Sequence, residues 1–332
     1  MMIVPVVRKI TETKKIFIER ALPKEGSLKV KKGSKVEPFD RLGECMYVQN
    51  ELKLPKGFKP EKFRDKSKYY RAGILIGRVG KEKIKAPYNG TLWKLDEGGF
   101  IYWEEEKRYV LLSGVWGTIH DEVPAASVLI ETQVRDLLFA VSTSGSASGE
   151  LLVLPNPSEV LKESYLEKFS KGIKGKVVYV GHFIDENILK KAHNMGASAI
   201  FAGSCNVETF TFAKSRGIKL GLISGFGKIP TPQFVFKALD SVSYRYVFFD
   251  GKKNLLRIPI PLDDQTESTD KKEMKGALVK KIQPGMRVQV FTTDKMGRIG
   301  KVDRVSQSSI LVKFEGDKEA TEVHLPNFLI LE

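Results

Sequence analysis

The chain is poor in the residues that most often carry metal and nucleophilic chemistry, with 2 cysteines and 4 histidines in 332 residues. Cys45 and Cys205 stand in segments read as different domains, so no disulfide framework is expected, and a reducing cytoplasmic setting is. His120, His182, His193 and His324 are scattered, and no zinc-type spacing of Cys and His occurs. Long apolar runs are lacking too. The longest, residues 125–130, falls far short of the roughly 18 residues that a membrane helix needs, so no membrane association is expected. Residues 1–7 are apolar, stop at Arg8 and Lys9 and precede no small-residue cleavage site, which predicts a first strand and not a signal peptide.

What the chain has in surplus is positive charge, +15 in all. It is unevenly placed. Residues 1–100 hold 24 Lys/Arg against 12 Asp/Glu, residues 101–150 hold 3 against 8, and residues 276–332 hold 9 against 7. Attraction of polyanions is therefore expected of the N-terminal region far more than of the C-terminus. The densest stretch, residues 53–71, carries Lys53, Lys56, Lys59, Lys62, Arg64, Lys66, Lys68 and Arg71 against only Glu61 and Asp65. Phe58, Phe63, Tyr69 and Tyr70 are interleaved. Cations for phosphates with aromatic faces for bases is the composition of a nucleic-acid surface. A solvated loop with its aromatics tucked against a β core has the same composition.

The length predicts two or three domains, and 42% hydrophobic residues suffice for their cores. Residues 1–155 read as a β-rich domain with a basic insertion at 45–83. Its strand-like runs include 28–30, 84–92, 109–112, 115–119, 127–131, 137–141 and 151–154, with an Asn89-Gly90 hairpin signal and a flexible loop at 142–146. Residues 156–262 change period. Gly181, Gly203 and Gly225 recur every 22 residues, each after an apolar run and before a helix-like segment capped by Asp185, by Asn206 or by Thr231 with Pro232. That spacing predicts three parallel strand–helix units, closed by a hairpin of residues 244–249 and 255–260. Residues 263–276 are polar and charged and read as a linker.

In an open parallel sheet ligands bind beyond the carboxyl ends of the strands. That places Gly181 and His182, Gly203 and Ser204, and Gly225, Gly227 and Lys228 as a candidate site for an anionic small molecule at helix N-termini. The same glycines also serve tight strand-to-helix turns. No P-loop or dinucleotide spacing is present, and no cofactor is expected. His182 and Cys205 invite a nucleophile pair, but no orienting third residue is identifiable.

Residues 277–332 show β-branched runs broken by glycine and polar turns, at Arg287-Val288-Gln289-Val290, Gly297-Arg298-Ile299-Gly300-Lys301-Val302, Ile310-Leu311-Val312-Lys313-Phe314 and Phe328-Leu329. This pattern resembles the KOW-type SH3-like β-barrel of transcription and ribosomal proteins. Gly300 and Val302 match the motif's glycine and following apolar position, flanked by Arg298 and Lys301. The pair of segments 28–44 and 84–95 resembles the two halves of a barrel-sandwich hybrid, as in biotinyl and lipoyl domains. The lysine-bearing hairpin tip of those carriers is replaced here by the basic insertion. The whole resembles uncharacterised bacterial KOW-domain proteins. The fold class expected is multidomain α+β: an N-terminal barrel-sandwich-like β domain, a small parallel α/β domain and a C-terminal SH3-like barrel. The KOW resemblance implies contact of the tail with RNA or protein. The leading expectation is a non-catalytic adaptor that contacts RNA or a ribonucleoprotein through the basic N-terminal loop; the alternatives are an α/β domain that binds an anionic small molecule, as an enzyme would, and a structural subunit of a larger enzyme.

Overall fold

A computed structural model describes residues 3–154, 161, 163–168, 170–261, 279–325 and 327–331. The expected linker at 263–276 lies outside them. The protein is β-rich, with 50% of residues in strands against 11% in helices, and its described strands form five sheets. Among the described residues no helix is long and apolar enough to cross a membrane.

The largest sheet has 12 strands and is mixed. Strands Ser146–Val153, Val177–Tyr179, Ala199–Cys205 and Leu220–Phe226 are parallel neighbours. Every residue of Ala199–Cys205 is buried, as a central strand covered on both faces requires. Helices Glu186–Asn194 and Val207–Ser215 cover one face, with Ile188, Leu189, Ala192 and Ala213 packed on Val178, Ile200 and Leu222. Helix Gln233–Asp240 covers the other through Val235 and Leu239. The Asp185 carboxylate accepts from the Ile188 amide at 2.8 Å, a working N-cap. Asn206 holds the cap position without a side-chain bond. The expected Thr231 cap fails because Pro232 is the cap residue and the Thr231 hydroxyl is bonded instead to Tyr179.

The same sheet runs on, antiparallel, into the N-terminal region through the expected hairpin Tyr246–Asp250 and Leu255–Ile260 and then Ser127–Leu138. Sequence reading splits this last strand in two at residues 132–136, where all but Val134 are polar. It is continuous because Arg257 meets the buried Asp136 carboxylate with two bonds of 2.9 Å, so the acid needs no solvent. Strand Ile10–Ala21 lies along its whole length. A division near residue 155 therefore falls within a shared sheet. Residues 142–146, expected as a flexible loop, join two strands of it, Val141–Ser142 and Ser146–Val153.

The expected barrel-sandwich halves do not meet. Leu28, Val36 and Leu42 pack with Leu111, Val115 and Ile119. Ile84, Ala86 and Leu92 pack with Phe58, Tyr70, Ile76 and Tyr102 in a separate core. Residues 51–104 thus form a small β module between the paired strands Arg41–Tyr47 and Lys107–Leu112. One of its sheets is Glu51–Lys53, Phe100–Glu104, Gly90–Lys94 and Ser67–Tyr70 in that order, and the other is Glu82–Lys85, Leu75–Val79 and Phe58–Pro60. Asn89-Gly90 makes no hairpin, since the strands on either side belong to different sheets. Asn89 accepts from the Ala72 amide at 2.9 Å, and a Cβ at Gly90 would lie 2.0 Å from the Trp103 carbonyl oxygen.

The C-terminal strands Arg287–Val290, Ile299–Val305, Ser309–Phe314 and Thr321–His324 form a meander, and Phe328–Leu331 returns beside Arg287–Val290. Ile3–Val7 is a strand, as the sequence predicts, but it lies here, against Val279–Lys281 and Phe328–Leu331. Val4 is fully buried among Val288, Val312 and Ile330. The C-terminal unit therefore draws a strand from the other end of the chain. It also touches the α/β layer. Gly297 backs onto Ile229, and Arg287 stacks on Phe234.

Candidate nucleic-acid interface

The carboxyl ends of the parallel strands do bring the predicted glycine segments together, but the segments bind one another. Gly203 and Ser204 lie inside a buried strand and not in a loop. The Ser204 hydroxyl sits 3.1 Å from the His182 carbonyl, 2.9 Å from the Ile229 carbonyl and 3.1 Å from the Ile229 amide. The Thr231 amide donates to His182 Nδ1 at 3.0 Å. The amides of Gly203, Ser204 and Gly227 donate to the carbonyls of Gly181, His182 and Cys205. A Cβ at Gly203 would lie 2.4 Å from both the His182 carbonyl and the Thr231 hydroxyl, so this glycine serves packing. Gly181, just past strand Val177–Tyr179, and Gly225, inside strand Leu220–Phe226, take positive φ, of 103° and 97°, which glycine adopts freely. Lys228 is exposed, and the next residue, Ile229, is covered by the C-terminal unit at Gly297. The amides of Gly203, Ser204, Gly227, Ile229 and Thr231 are thus bonded from within.

The Cys205 thiol is buried and bonded to the backbone. Burial pushes the Cys205 thiol up to about 12, and its sulfur lies 3.1 Å from the Asn206 carbonyl. Cys45 is buried elsewhere. Among the described residues no group of three or more His, Cys, Asp and Glu is placed to hold a metal ion. One base is strongly perturbed. Lys9, at the crossing from the C-terminal unit into the large sheet, is buried and donates to the Ile223 carbonyl at 2.6 Å, and burial lowers its pKa to about 8.

The basic stretch behaves differently. Its aromatics divide. Phe58 and Tyr70 are core residues, and Phe63 packs on Phe100 with ring centroids 5.4 Å apart. Tyr69 points outward. All eight predicted cations, Lys53, Lys56, Lys59, Lys62, Arg64, Lys66, Lys68 and Arg71, are exposed. Across residues 51–104 there are 13 Lys/Arg against 7 Asp/Glu. Among the described residues only Arg78 of these cations meets a carboxylate within ion-pair range, Glu61 at 3.9 Å. Lys68 is tied to the Lys62 carbonyl at 3.0 Å and lies over the Tyr70 ring. The others face water.

Sequence reading misses the two residues that complete this surface, Trp93 and Trp103. Both are exposed on the same sheet face as Tyr69, and their ring centroids are 5.7 Å apart. The signal was present: each tryptophan follows a core residue, Leu92 or Tyr102, in a strand of period 2, so each must point away from the core. The two C-terminal candidates part company. Arg298 is committed to Asp317 through two bonds of 3.2 and 3.1 Å and stacks on Phe314, and Lys295 joins the same carboxylate at 2.8 Å. Those cations hold the Asp317 carboxyl below its ordinary range. Lys301 is exposed. Gly300 is required by packing, since a Cβ there would lie 2.4 Å from Val312. No protein-family profile matches the chain, and no curated protein matches it.

Proposed function

We propose that this protein is a non-catalytic binding adaptor that holds RNA or a ribonucleoprotein through the basic β module of residues 51–104. The observation that carries this reading is the set of exposed cations left without carboxylate partners on a compact, independently cored module. Phosphates supply the missing counter-charge, and their counterions leave on binding. The C-terminal unit, read as a KOW-type SH3-like barrel, is assigned to a protein partner. Its charge is nearly balanced, with 9 Lys/Arg against 7 Asp/Glu in residues 276–332, and Arg298 is already paired. The reading of the α/β layer as a small-molecule site has less behind it, since its loop donors are satisfied internally.

The test is retention of RNA by the full chain and by a variant with Lys56, Lys59, Lys62 and Lys66 changed to glutamate. All four are exposed, so the fold should survive the change. Retention at moderate salt should be lost in the variant. Undiminished retention would defeat the reading.

A further inference from the structure

We infer that the outer face of the sheet formed by Glu51–Lys53, Phe100–Glu104, Gly90–Lys94 and Ser67–Tyr70, where Trp93, Trp103 and Tyr69 are exposed over a buried Ile101, is a stacking platform for the unpaired bases of a single-stranded nucleic acid. This rests on the proposed function and names its ligand class and its contact residues. Strand register places Trp103, Thr91 and Tyr69 side by side in one row across three strands, and Ile101, Trp93 and Ser67 in the next. The opposite face carries Leu92, Tyr102 and Tyr70, which fill the module's core. The outward rings are thus not needed to build that core, yet Trp93 is 38% exposed, Trp103 37% and Tyr69 49%. Three large flat rings on one face of a β-sheet match what successive splayed bases require, because every base has a face to stack and none needs a sequence-specific partner.

Charge decides between a nucleic acid and a neutral ligand. Lys53 lies in the row of Ile101 and Trp93, and Lys66 and Lys94 flank the same end, the Lys94 amide donating to the Lys66 carbonyl. Arg71 lies two residues beyond Tyr69 and is close enough to act electrostatically on its phenol. Two carboxylates share the surface at the Trp103 end. Glu51 stands opposite Trp103, and Glu105 accepts from the Tyr69 hydroxyl at 3.2 Å. The phosphate path therefore favours the Trp93 end. A duplex cannot use the rings, since its bases are already stacked on one another, so the platform selects single strands.

The experiment titrates the full chain with a single-stranded oligouridylate and with an RNA duplex of equal length, following tryptophan fluorescence and the anisotropy of a labelled strand. The single strand should quench fluorescence and the duplex should not. Replacing Trp93 and Trp103 with alanine should weaken single-strand binding on the order of tenfold to a hundredfold while leaving the salt dependence nearly unchanged. Replacing both with phenylalanine, which keeps a stacking face, should restore most of the loss and excludes a folding defect. Unchanged affinity in the alanine variant, with binding lost in the Lys→Glu variant, would overturn the platform and leave the adaptor standing. Equal affinity for duplex and single strand would likewise overturn the platform. No binding of either RNA would overturn both.

Discussion

The Arg287 guanidinium lies 4.3 Å from the centroid of the Phe234 ring, joining the C-terminal unit to helix Gln233–Asp240 of the α/β layer. Nearby, Gly297 takes a φ of 73°, and a Cβ there would come within 2.4 Å of Ile229. The two contacts seat the C-terminal unit beside the carboxyl ends of the parallel strands. Arg287→Ala should weaken this seat by about 1 kcal/mol, the usual size of such a stack. Gly297→Val should cost more, on the order of 2 kcal/mol or above, because it combines a clash with a backbone conformation that β-branched residues avoid. Chemical denaturation of the two variants checks the ranking, and equal stability of Gly297→Val and the parent would refute the contact.

The buried Lys9 makes stability depend on pH. Its folded pKa, about 8, lies below its ordinary 10.5. Below pH 8 the ammonium is charged in both states, and the burial penalty is full. Between pH 8 and 10.5 the folded chain has lost the proton while the unfolded chain still holds it, so stability from this group rises with pH. Lys9→Met removes the burial penalty together with the bond to the Ile223 carbonyl, so any gain over the parent should be largest near pH 7. The gain should shrink as pH climbs through that window. Denaturation midpoints of parent and variant from pH 7 to 10 test it, and a difference independent of pH would count against the burial argument.

Strand Ile3–Val7 closes the C-terminal unit from the far end of the chain. Val4→Asp would place a carboxylate in a fully buried site among Val288, Val312 and Ile330. A loss of about 3 kcal/mol or more is expected, concentrated in that unit. Limited proteolysis should then cut within residues 279–331 before it cuts the large sheet. Cleavage unchanged in order and rate would show that the unit closes without this strand.

Local patterns were legible in the sequence, and long-range pairing was not. The 22-residue recurrence of Gly181, Gly203 and Gly225 corresponds to three parallel strands, because strand–helix units of one length repeat along the sequence, although Gly203 and Gly225 lie inside their strands and not in turns. The Asp185 cap was readable for the same reason. The union of Ile3–Val7 with strands some 280 residues away was not, since nothing in five apolar residues specifies a partner. Nor was the continuity of Ser127–Leu138, where Asp136 looks like a break until Arg257 arrives from across the sheet. The internal bonds among the expected anion-site segments were not readable either, since Ser204 bonds Ile229 and the Thr231 amide bonds His182 between stretches far apart in sequence. In the basic module the cations were visible as a charge run. The Trp93 and Trp103 pair was hidden by their separation of ten residues on two different strands.

The most direct test of the account is the salt dependence of single-stranded RNA binding by the full chain. With about six phosphate contacts, the slope of log affinity against log salt should lie near −4, at roughly −0.7 per contact on a single strand. Changing Lys56, Lys59, Lys62 and Lys66 to glutamate should reduce its magnitude by roughly 0.7 for each of the four that meets a phosphate. A slope near zero, or one that the four substitutions leave untouched, would contradict the assignment of the module as the nucleic-acid surface.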